Sequence, residues 1–241
     1  MKRLVRLRDR RHRNSAGLFV VEGERLFSRA LQAGLEPIEV YVASGHVGEY
    51  PKDAVMVAED VLDRVSYRKT NPGILAVFPQ EHLELADIRL SPSPLVLVCE
   101  SIEKPGNLGA MARTASAVTA DALVCVGNTV DKFNPNALTS STGALFDMPT
   151  VNVSIPELTD WLADNDIELI AASPEASTTY WHADMSSAVA LAVGAEDSGL
   201  SPALRQSTAQ IVAIPMMSTV DSLNASVSLG LLAYEAIRQR S

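Results

Sequence analysis

From residue 95 onward, the chain alternates uninterrupted apolar runs with segments of helical spacing. The runs LVLVCE, ALVCVG, ELIAAS, VALAVGAE and QIVAIPM occupy residues 95–100, 122–127, 168–173, 189–196 and 210–216. Continuous apolar runs of this length are typical of strands that are buried on both faces of a sheet. Helices are predicted at 108–120, 156–165 and 226–240, a small-residue turn within 137–145 and a short strand at 152–154. Alternating buried strands and helices predict an α/β fold with a parallel sheet.

The first part of the chain has shorter and more polar elements. We predict a loop at 10–17, a strand at 18–21, and a helix that Gly34 ends. Further strands are predicted at 38–44 and 73–79, with a strand and a helix between them within 55–65. A polar, proline-bearing stretch follows and is typical of a linker. We therefore expect an N-terminal unit (1–80), a linker (81–94) and a C-terminal unit (95–241).

The amino-acid composition bears on the fold class and on the expected cellular compartment. Hydrophobic residues make up 47% of the chain and aromatic residues only 5%, which favours strands alternating with helices over an all-β sandwich. Cys99 and Cys125 lie in apolar runs, so we expect buried, reduced thiols and a cytoplasmic protein. The basic start of the chain is not followed by an apolar signal segment, and no apolar run approaches membrane-spanning length. We expect a soluble protein with no membrane partner.

The charge is distributed unevenly along the chain. The formal net charge is −9, yet residues 1–30 hold nine lysine and arginine residues against three acidic ones. The remaining residues hold eleven basic and 26 acidic ones. A local positive field of this kind suits a phosphate-binding patch, although a solvated basic helix start would give the same pattern.

Three loops that follow predicted strands carry candidate chemistry, because open α/β sheets bind ligands at the carboxyl ends of their strands. After 95–100, Gly106 and Gly109 allow a tight turn into a helix that Asn107 could cap, with Arg113 about one turn beyond Gly109. A helix start with an arginine forms a plausible phosphate site, and an ordinary turn with a surface arginine is the alternative.

The other two loops follow the strands predicted at 189–193 and 210–214. Glu196 and Asp197 lie between two glycines, ahead of a helix for which Ser201 is the expected cap and Pro202 the first residue. The third loop leads through Ser222 and Asn224 into the last helix, and either residue could cap it.

Taken together, the three loops resemble the three motifs of the SpoU family of RNA ribose 2′-O-methyltransferases, within the SPOUT superfamily. The matching segments are N-x-G-x-x-x-R-T-A at 107–115, G-x-E-x-x-G-L at 194–200, and I-P-M followed by S-L-N-x-S-V within 214–227. Residues 1–80 resemble, more weakly, the small RNA-recruiting domain of many members, which is similar to a ribosomal-protein fold. The chain departs from the family at Thr139, often an arginine, and at Ala225, often a valine.

The resemblance implies a deep trefoil knot in the C-terminal unit, a homodimer formed through it, and S-adenosylmethionine as the methyl donor. Carried over by motif position, the cofactor-binding residues are Gly194, Ile214, Met216 and Leu223. The residues implied in catalysis and substrate positioning are Asn107, Arg113, Glu196, Ser222 and Asn224. Glu196 is expected to orient Arg113 or the loop that precedes it.

No metal is expected, because the four histidines are scattered along the chain. The implied substrate is structured RNA, ribosomal rather than transfer RNA. A non-catalytic RNA-binding module and a Rossmann-like enzyme acting on a small substrate remain as alternatives. Binding of the cofactor and dependence on RNA would separate the three.

Overall fold

A computed structural model describes residues 1–67, 70–128, 130–219 and 221–241. The elements of the N-terminal unit are α1 (Lys2–Arg6), α2 (Arg10–Ala16), β1 (Leu18–Glu22), α3 (Glu24–Gln32), β2 (Glu39–Ala43), β3 (Val55–Val57), α4 (Glu59–Val65) and β4 (Ile74–Pro79). The strands form a sheet in the order β1-β4-β2-β3, in which β4 runs antiparallel to both of its neighbours.

Helix α2 occupies nearly all of the segment predicted as a loop at 10–17, so that prediction is wrong. Asp9 caps α2 by accepting a hydrogen bond from the His12 N–H, and Gly17 ends the helix at a φ of 64°. Leu4 and Leu7 are buried against the four-stranded sheet. These short helices give no periodic signal in the sequence, because each has only one or two apolar residues among many arginines.

The linker contains a short 3₁₀ helix (Leu85–Asp87), and a second one lies at Tyr180–His182. The elements of the C-terminal unit are β5 (Leu95–Glu100), α5 (Pro105–Ala117), β6 (Ala122–Val126), α6 (Pro135–Ser141), α7 (Ala144–Asp147), β7 (Thr150–Val153), α8 (Ile155–Asp164), β8 (Glu168–Ala172), β9 (Thr178–Thr179), β10 (Val189–Val193), α9 (Pro202–Gln206), β11 (Gln210–Ala213) and α10 (Ala225–Arg240).

The seven strands of this unit lie in the order β7-β6-β5-β10-β8-β11-β9, and every pair is parallel. The predicted parallel α/β sheet is confirmed. Helices α5, α6, α7 and α10 cover one face, and α8 and α9 cover the other. Cys99 and Cys125 lie side by side on β5 and β6, both buried and free.

Several predicted boundaries shift. Helix α5 begins at Pro105 with Lys104 as its N-cap, so Asn107 lies inside the first turn and the predicted capping role is wrong. The turn at residues 142–143 separates two helices, with Thr142 and Gly143 at positive φ. The two-residue strand β9 was not predicted.

The two units share a continuous apolar core. Phe19 and Phe78 of the N-terminal sheet pack with Phe133 and Phe146 of the C-terminal unit, and the ring centroids of Phe19 and Phe133 are 4.8 Å apart. Beside them, Arg13 Nε and Nη2 both donate to Asp131 Oδ2, at 3.0 and 2.7 Å. We call this contact region the joint.

Across the four described ranges, no helix is both long and apolar enough to cross a bilayer.

Candidate active site

The loops that follow β5, β10 and β11 meet at one edge of the parallel sheet, as the strand order requires. A cavity of about 320 Å³ opens between the second and third of them. All four residues implied in cofactor binding line it, namely Gly194, Ile214, Met216 and Leu223. Ile214, Met216 and Leu223 lie between β11 and α10, in a segment outside any strand ladder, so their backbone groups can face a ligand.

The loop after β10 is folded tightly on itself. A Cβ on Gly194 would lie 2.2 Å from the carbonyl carbon of Gly199 and 2.5 Å from the Leu200 nitrogen. Ala195 and Gly199 form an isolated antiparallel bridge, and Gly199 has a φ of 64°. Both glycines are therefore required by the backbone path, which leaves the cavity wall free of a side chain at Gly194.

Sequence reasoning missed a buried carboxylate that holds this loop. Glu100, the last residue of β5, accepts a hydrogen bond from the Ser201 N–H at 2.8 Å and is almost fully buried. Ser201 is also the N-cap of α9 and accepts from the Leu204 N–H, as predicted. Its position at the end of an apolar run gave Glu100 no distinguishing signal.

Glu196 joins the first and third loops. Its Oε1 accepts from Asn107 Nδ2 at 2.6 Å and from Asn224 Nδ2 at 2.8 Å, and Asn224 Nδ2 also donates to Asn107 Oδ1 at 3.1 Å. Its Oε2 accepts from Lys104 Nζ. One residue from each of the three motifs thus meets at this point, and we call the four residues the Glu196 network. Lys104 was not singled out from the sequence.

These donors change the acidity of the carboxyl group. The hydrogen bond from Lys104, followed by that from Asn107, lowers the pKa of Glu196 below its ordinary value of 4.5. The same contact raises the pKa of Lys104. At neutral pH the network therefore contains an ionised carboxylate and an ammonium.

The oxygen and the nitrogen of the Asn224 side-chain amide make different contacts. Its side-chain oxygen accepts from the Ser226 N–H at 2.9 Å and so caps α10, one of the two predicted alternatives. Its side-chain nitrogen points the other way, to Glu196. Ser222 does not cap the helix and instead lines the cavity beside Leu223. The start of α10 is thereby tied to the first two motif loops.

Arg113 is exposed on α5, on the same helical face as Gly106 and Ala110. In the part of the chain that the structure describes, its guanidinium makes no hydrogen bond or ion pair. Glu196 contacts the first turn of α5 and not Arg113 itself, so any orienting effect acts through that turn. The guanidinium keeps all of its donors for an incoming ligand.

Polar side chains from the segment after β8 and from α9 also line the cavity. Arg205 Nη2 donates to Ser173 Oγ at 2.6 Å and to Glu175 Oε2 at 3.3 Å, and all three residues line the cavity. Ser173 is the polar last residue of the strand predicted at 168–173 and directly follows β8, and that position was the signal that could have drawn attention to it.

Comparison with known proteins agrees with this geometry. Residues 94–234 match the model of the SpoU rRNA Methylase family, and residues 1–76 match the MRM3-like substrate binding domain. The chain is 30% identical to the 23S rRNA (guanosine(2553)-2′-O)-methyltransferase RlmP of Bacillus subtilis, with 95% of this chain and 92% of that protein covered.

Two solved structures extend the likeness to the fold. An RNA 2′-O ribose methyltransferase shares 40% identity at a TM-score of 0.86, with 99% of this chain and 95% of the other covered. The SpoU methyltransferase AviRb of Streptomyces viridochromogenes, in complex with AdoMet, shares 28% identity at a TM-score of 0.89, with coverages of 99% and 97%. The chain belongs to the SpoU rRNA methylase family.

Proposed function

We propose that this chain transfers a methyl group from S-adenosylmethionine to a ribose 2′-hydroxyl of ribosomal RNA, with 23S rRNA as the substrate class. One observation carries the proposal: residues from all three motif loops meet in the Glu196 network, beside a single cavity. A molecule that only binds RNA has no need of a cavity built in this way. The similarity to RlmP supports the choice of 23S rRNA.

The cavity suits the methyl donor. Its volume of about 320 Å³ lies in the usual range for small-molecule sites, and it combines apolar and polar lining. Ile214, Met216 and Leu223 supply apolar surface, and the bare backbone at Gly194 allows close approach. When bound there, S-adenosylmethionine supplies a methyl group activated by the sulfonium. AviRb with AdoMet bound is a structural relative of this chain.

The residues of α5 would position the RNA. Arg113 presents a planar, permanently charged fork that suits an RNA phosphate next to the reacting ribose. Asn107, held by Glu196, would fix the ribose or the loop itself. We assign Arg113 to binding and alignment, because a guanidinium with a pKa above about 12 is a poor general base. Ser222 and Asn224 would fix the third loop and the substrate.

We also propose the trefoil knot. The chain leaves β11 near one edge of the sheet, and α10 then returns to pack against α5 and the central strand β10. The loop after β10 comes earlier in the chain than α10. The contact between Glu196 and Asn224 ties this loop to the start of α10. A chain path of this kind supports threading of the last segment through the preceding loop.

A homodimer through the C-terminal unit is proposed on the exposed face of α10. Val227, Leu231 and Tyr234 are 49%, 37% and 57% exposed and lie one turn apart, which forms an apolar stripe on one side of the helix. The exposed face of α5 adjoins this helix. Light scattering of the purified protein tests the dimer, and Tyr234→Glu should shift the mass toward a monomer.

The proposed division of labour follows the predicted boundaries. Residues 1–80 would recruit RNA, 81–94 would connect, and 95–241 would carry out the transfer. We also propose that the chain acts in the cytoplasm, in keeping with ribosomal RNA as the substrate. Within the N-terminal unit, part of the basic charge is used by the fold itself: Arg3 pairs with Glu39, and Arg8 donates to backbone carbonyls of residues 64 and 66.

Incorporation of tritiated methyl groups into unmodified 23S rRNA, followed by mapping of 2′-O-methyl positions, tests the function. We expect one principal ribose to be modified, with no incorporation when S-adenosylmethionine is omitted. If calorimetry shows no binding of S-adenosylmethionine while RNA still binds, the chain is a non-catalytic RNA-binding module. Methyl transfer to a small substrate without RNA would contradict the RNA assignment.

A further inference from the structure

A second polar cavity, of about 160 Å³, lies beside the joint. Its walls come from α2, the linker, the segment after β6 and the edge strand β7. The polar residues of its lining include Arg10, Asn14, His82, Lys132 and Asn152. The acidic residue among the described lining residues, Asp131, is already paired with Arg13. The described lining residues thus include two cations, Arg10 and Lys132, against the paired carboxylate of Asp131, together with the side-chain amides of Asn14 and Asn152.

Lys132 is the cation that lines the cavity from the C-terminal unit. The residue is partly buried, with Nζ 3.3 Å from the carbonyl oxygen of Thr150 and 5.1 Å from the ring centroid of Phe133. Within the described ranges no carboxylate lies at ion-pair distance from it. Burial lowers the pKa of Lys132, an effect that the neighbouring Cys125, Asp131 and Glu81 only partly offset. A partly desolvated ammonium that no described carboxylate contacts at ion-pair distance favours the binding of an anion.

A second cation, Arg10, lines the same cavity from the N-terminal unit. Arg10 and Asn14 are one helical turn apart on α2, and both line the cavity. Arg13 lies on the same side of α2, and its buried ion pair with Asp131 anchors this face to the segment that carries Lys132. Two cations from different units are thus held around one space, and neither unit could form it alone.

The segment that carries Lys132 is also connected to the active site. The Val130 N–H donates to the Ile102 carbonyl at 2.8 Å, in the loop that leads into α5, and the Ser101 N–H donates to the Val126 carbonyl at 2.9 Å. The cavity is open to solvent, since Arg10, Asn14 and Asn152 are exposed. The described residues 130–133 therefore contact the loop that leads into α5 through Val130 and line the cavity through Asp131, Lys132 and Phe133.

We infer that the cavity binds a phosphate group of the RNA backbone and thereby helps to hold the substrate across the joint. This inference rests on the proposed function, because it takes the ligand to be the RNA substrate. Amide groups and two cations suit a phosphodiester and carry no base recognition, so the contact should add affinity and orientation rather than sequence specificity.

The test is the salt dependence of RNA binding by Lys132→Gln. Each lost phosphate contact lowers the slope of log Kd against log salt by about 0.7 to 0.9. We expect a loss of that size, with about fivefold to tenfold weaker binding of unmodified 23S rRNA at low salt and unchanged S-adenosylmethionine affinity. Arg89→Gln, an exposed charge loss in the linker outside the cavity, is the matched control and should change the slope less.

A slope equal to that of the unchanged protein would overturn the inference. Should Lys132→Gln fail to fold, Arg10→Gln tests the same cavity from an exposed position, with the same expected loss of slope. If calorimetry shows inorganic phosphate bound in the cavity while both variants keep the full RNA slope, the ligand is a small anion and the RNA assignment is wrong. A lowered slope combined with no methyl transfer by the unchanged protein would contradict the proposed function alone.

Discussion

The joint and the Glu196 network both bring together distant parts of the chain, but they do so with different kinds of contact. At the joint, the Arg13 and Asp131 side chains are only 1% and 8% exposed, and the rings of Phe19 and Phe133 pack with their centroids 4.8 Å apart. In the Glu196 network, the Lys104 and Glu196 side chains are 70% and 22% exposed. The first region excludes water, and the second faces it.

The difference in exposure predicts which changes lower the stability of the protein and which lower its activity. A buried ion pair is costly to break, because the remaining charge stays buried and unpaired. Exposed ion pairs contribute about 0 to 1 kcal/mol, since water and salt screen them. Changes at the joint should therefore lower the free energy of unfolding, whereas changes at the motif loops should lower binding or turnover and leave stability nearly unchanged.

The largest expected loss of stability is that of Asp131→Ala. It leaves the Arg13 guanidinium buried without its carboxylate, for an expected loss of about 3 to 5 kcal/mol in the free energy of unfolding. Urea denaturation measures it. Asp60→Ala is the matched control, because it breaks an exposed pair with Arg64 one turn away and should cost less than about 0.5 kcal/mol. Equal losses for the two variants would contradict the contrast between joint and surface.

Arg113→Ala tests the opposite side of the comparison. We expect turnover to fall by about 10² to 10³, because alignment and charge stabilisation at the reacting group are lost. The free energy of unfolding should change by less than about 0.5 kcal/mol, since the side chain is exposed. Methyl incorporation at saturating cofactor is the measurement. Arg113→Lys should also be strongly impaired, because an ammonium does not reproduce the planar guanidinium. Near-normal turnover of either variant would show that the reaction does not require this guanidinium.

Gly194→Ala tests the tight loop that forms the cavity wall. The added Cβ would lie 2.2 Å from the Gly199 carbonyl carbon, so the backbone must shift, and we expect S-adenosylmethionine affinity to fall by about tenfold or more. Gly230→Ala is the control, because the nearest atom to its Cβ is 3.8 Å away and the residue lies inside α10. That variant should bind the cofactor normally. Normal calorimetric affinity in Gly194→Ala would show that this loop does not shape the pocket.

The parallel sheet could be predicted from the sequence because each central strand is a continuous apolar run, and buried strands leave that signal in any context. The motif loops were located for a related reason, since ligand loops follow such strands. Helices α1 and α2 were missed because the few apolar residues in and beside them, such as Leu4 and the C-cap Leu7, stand among arginines that carry no periodic signal. Tertiary contacts with the sheet, rather than local pattern, bury those leucines.

The joint could not have been predicted at all. Arg13 and Asp131 are 118 residues apart, and nothing near either residue indicates the other. Lys104 and Glu100 were missed for the same reason, because their roles come from partners on other loops. Residues whose role depends on a local turn, such as Gly194 and Ser201, could be identified. Asn107, Glu196 and Asn224 also make long-range hydrogen bonds, and only the family resemblance pointed to them before the structure.

The smallest expected effect is that of Glu196→Gln, and it tests how much the charge of the network matters. Glutamine keeps one acceptor for the two asparagines but removes the pair with Lys104, so S-adenosylmethionine affinity should fall by about twofold to tenfold, the equivalent of one net hydrogen bond. The pH dependence separates charge from shape. Because the folded-state pKa of Glu196 lies below its ordinary value of 4.5, the carboxylate contributes above 4.5, and that contribution is lost as the pH falls through the lowered pKa. The affinity of the unchanged protein should therefore approach that of the glutamine variant as the solution is acidified. A constant ratio between the two affinities down to the pH at which the protein unfolds would show that the ionised state of Glu196 does not hold the three loops together.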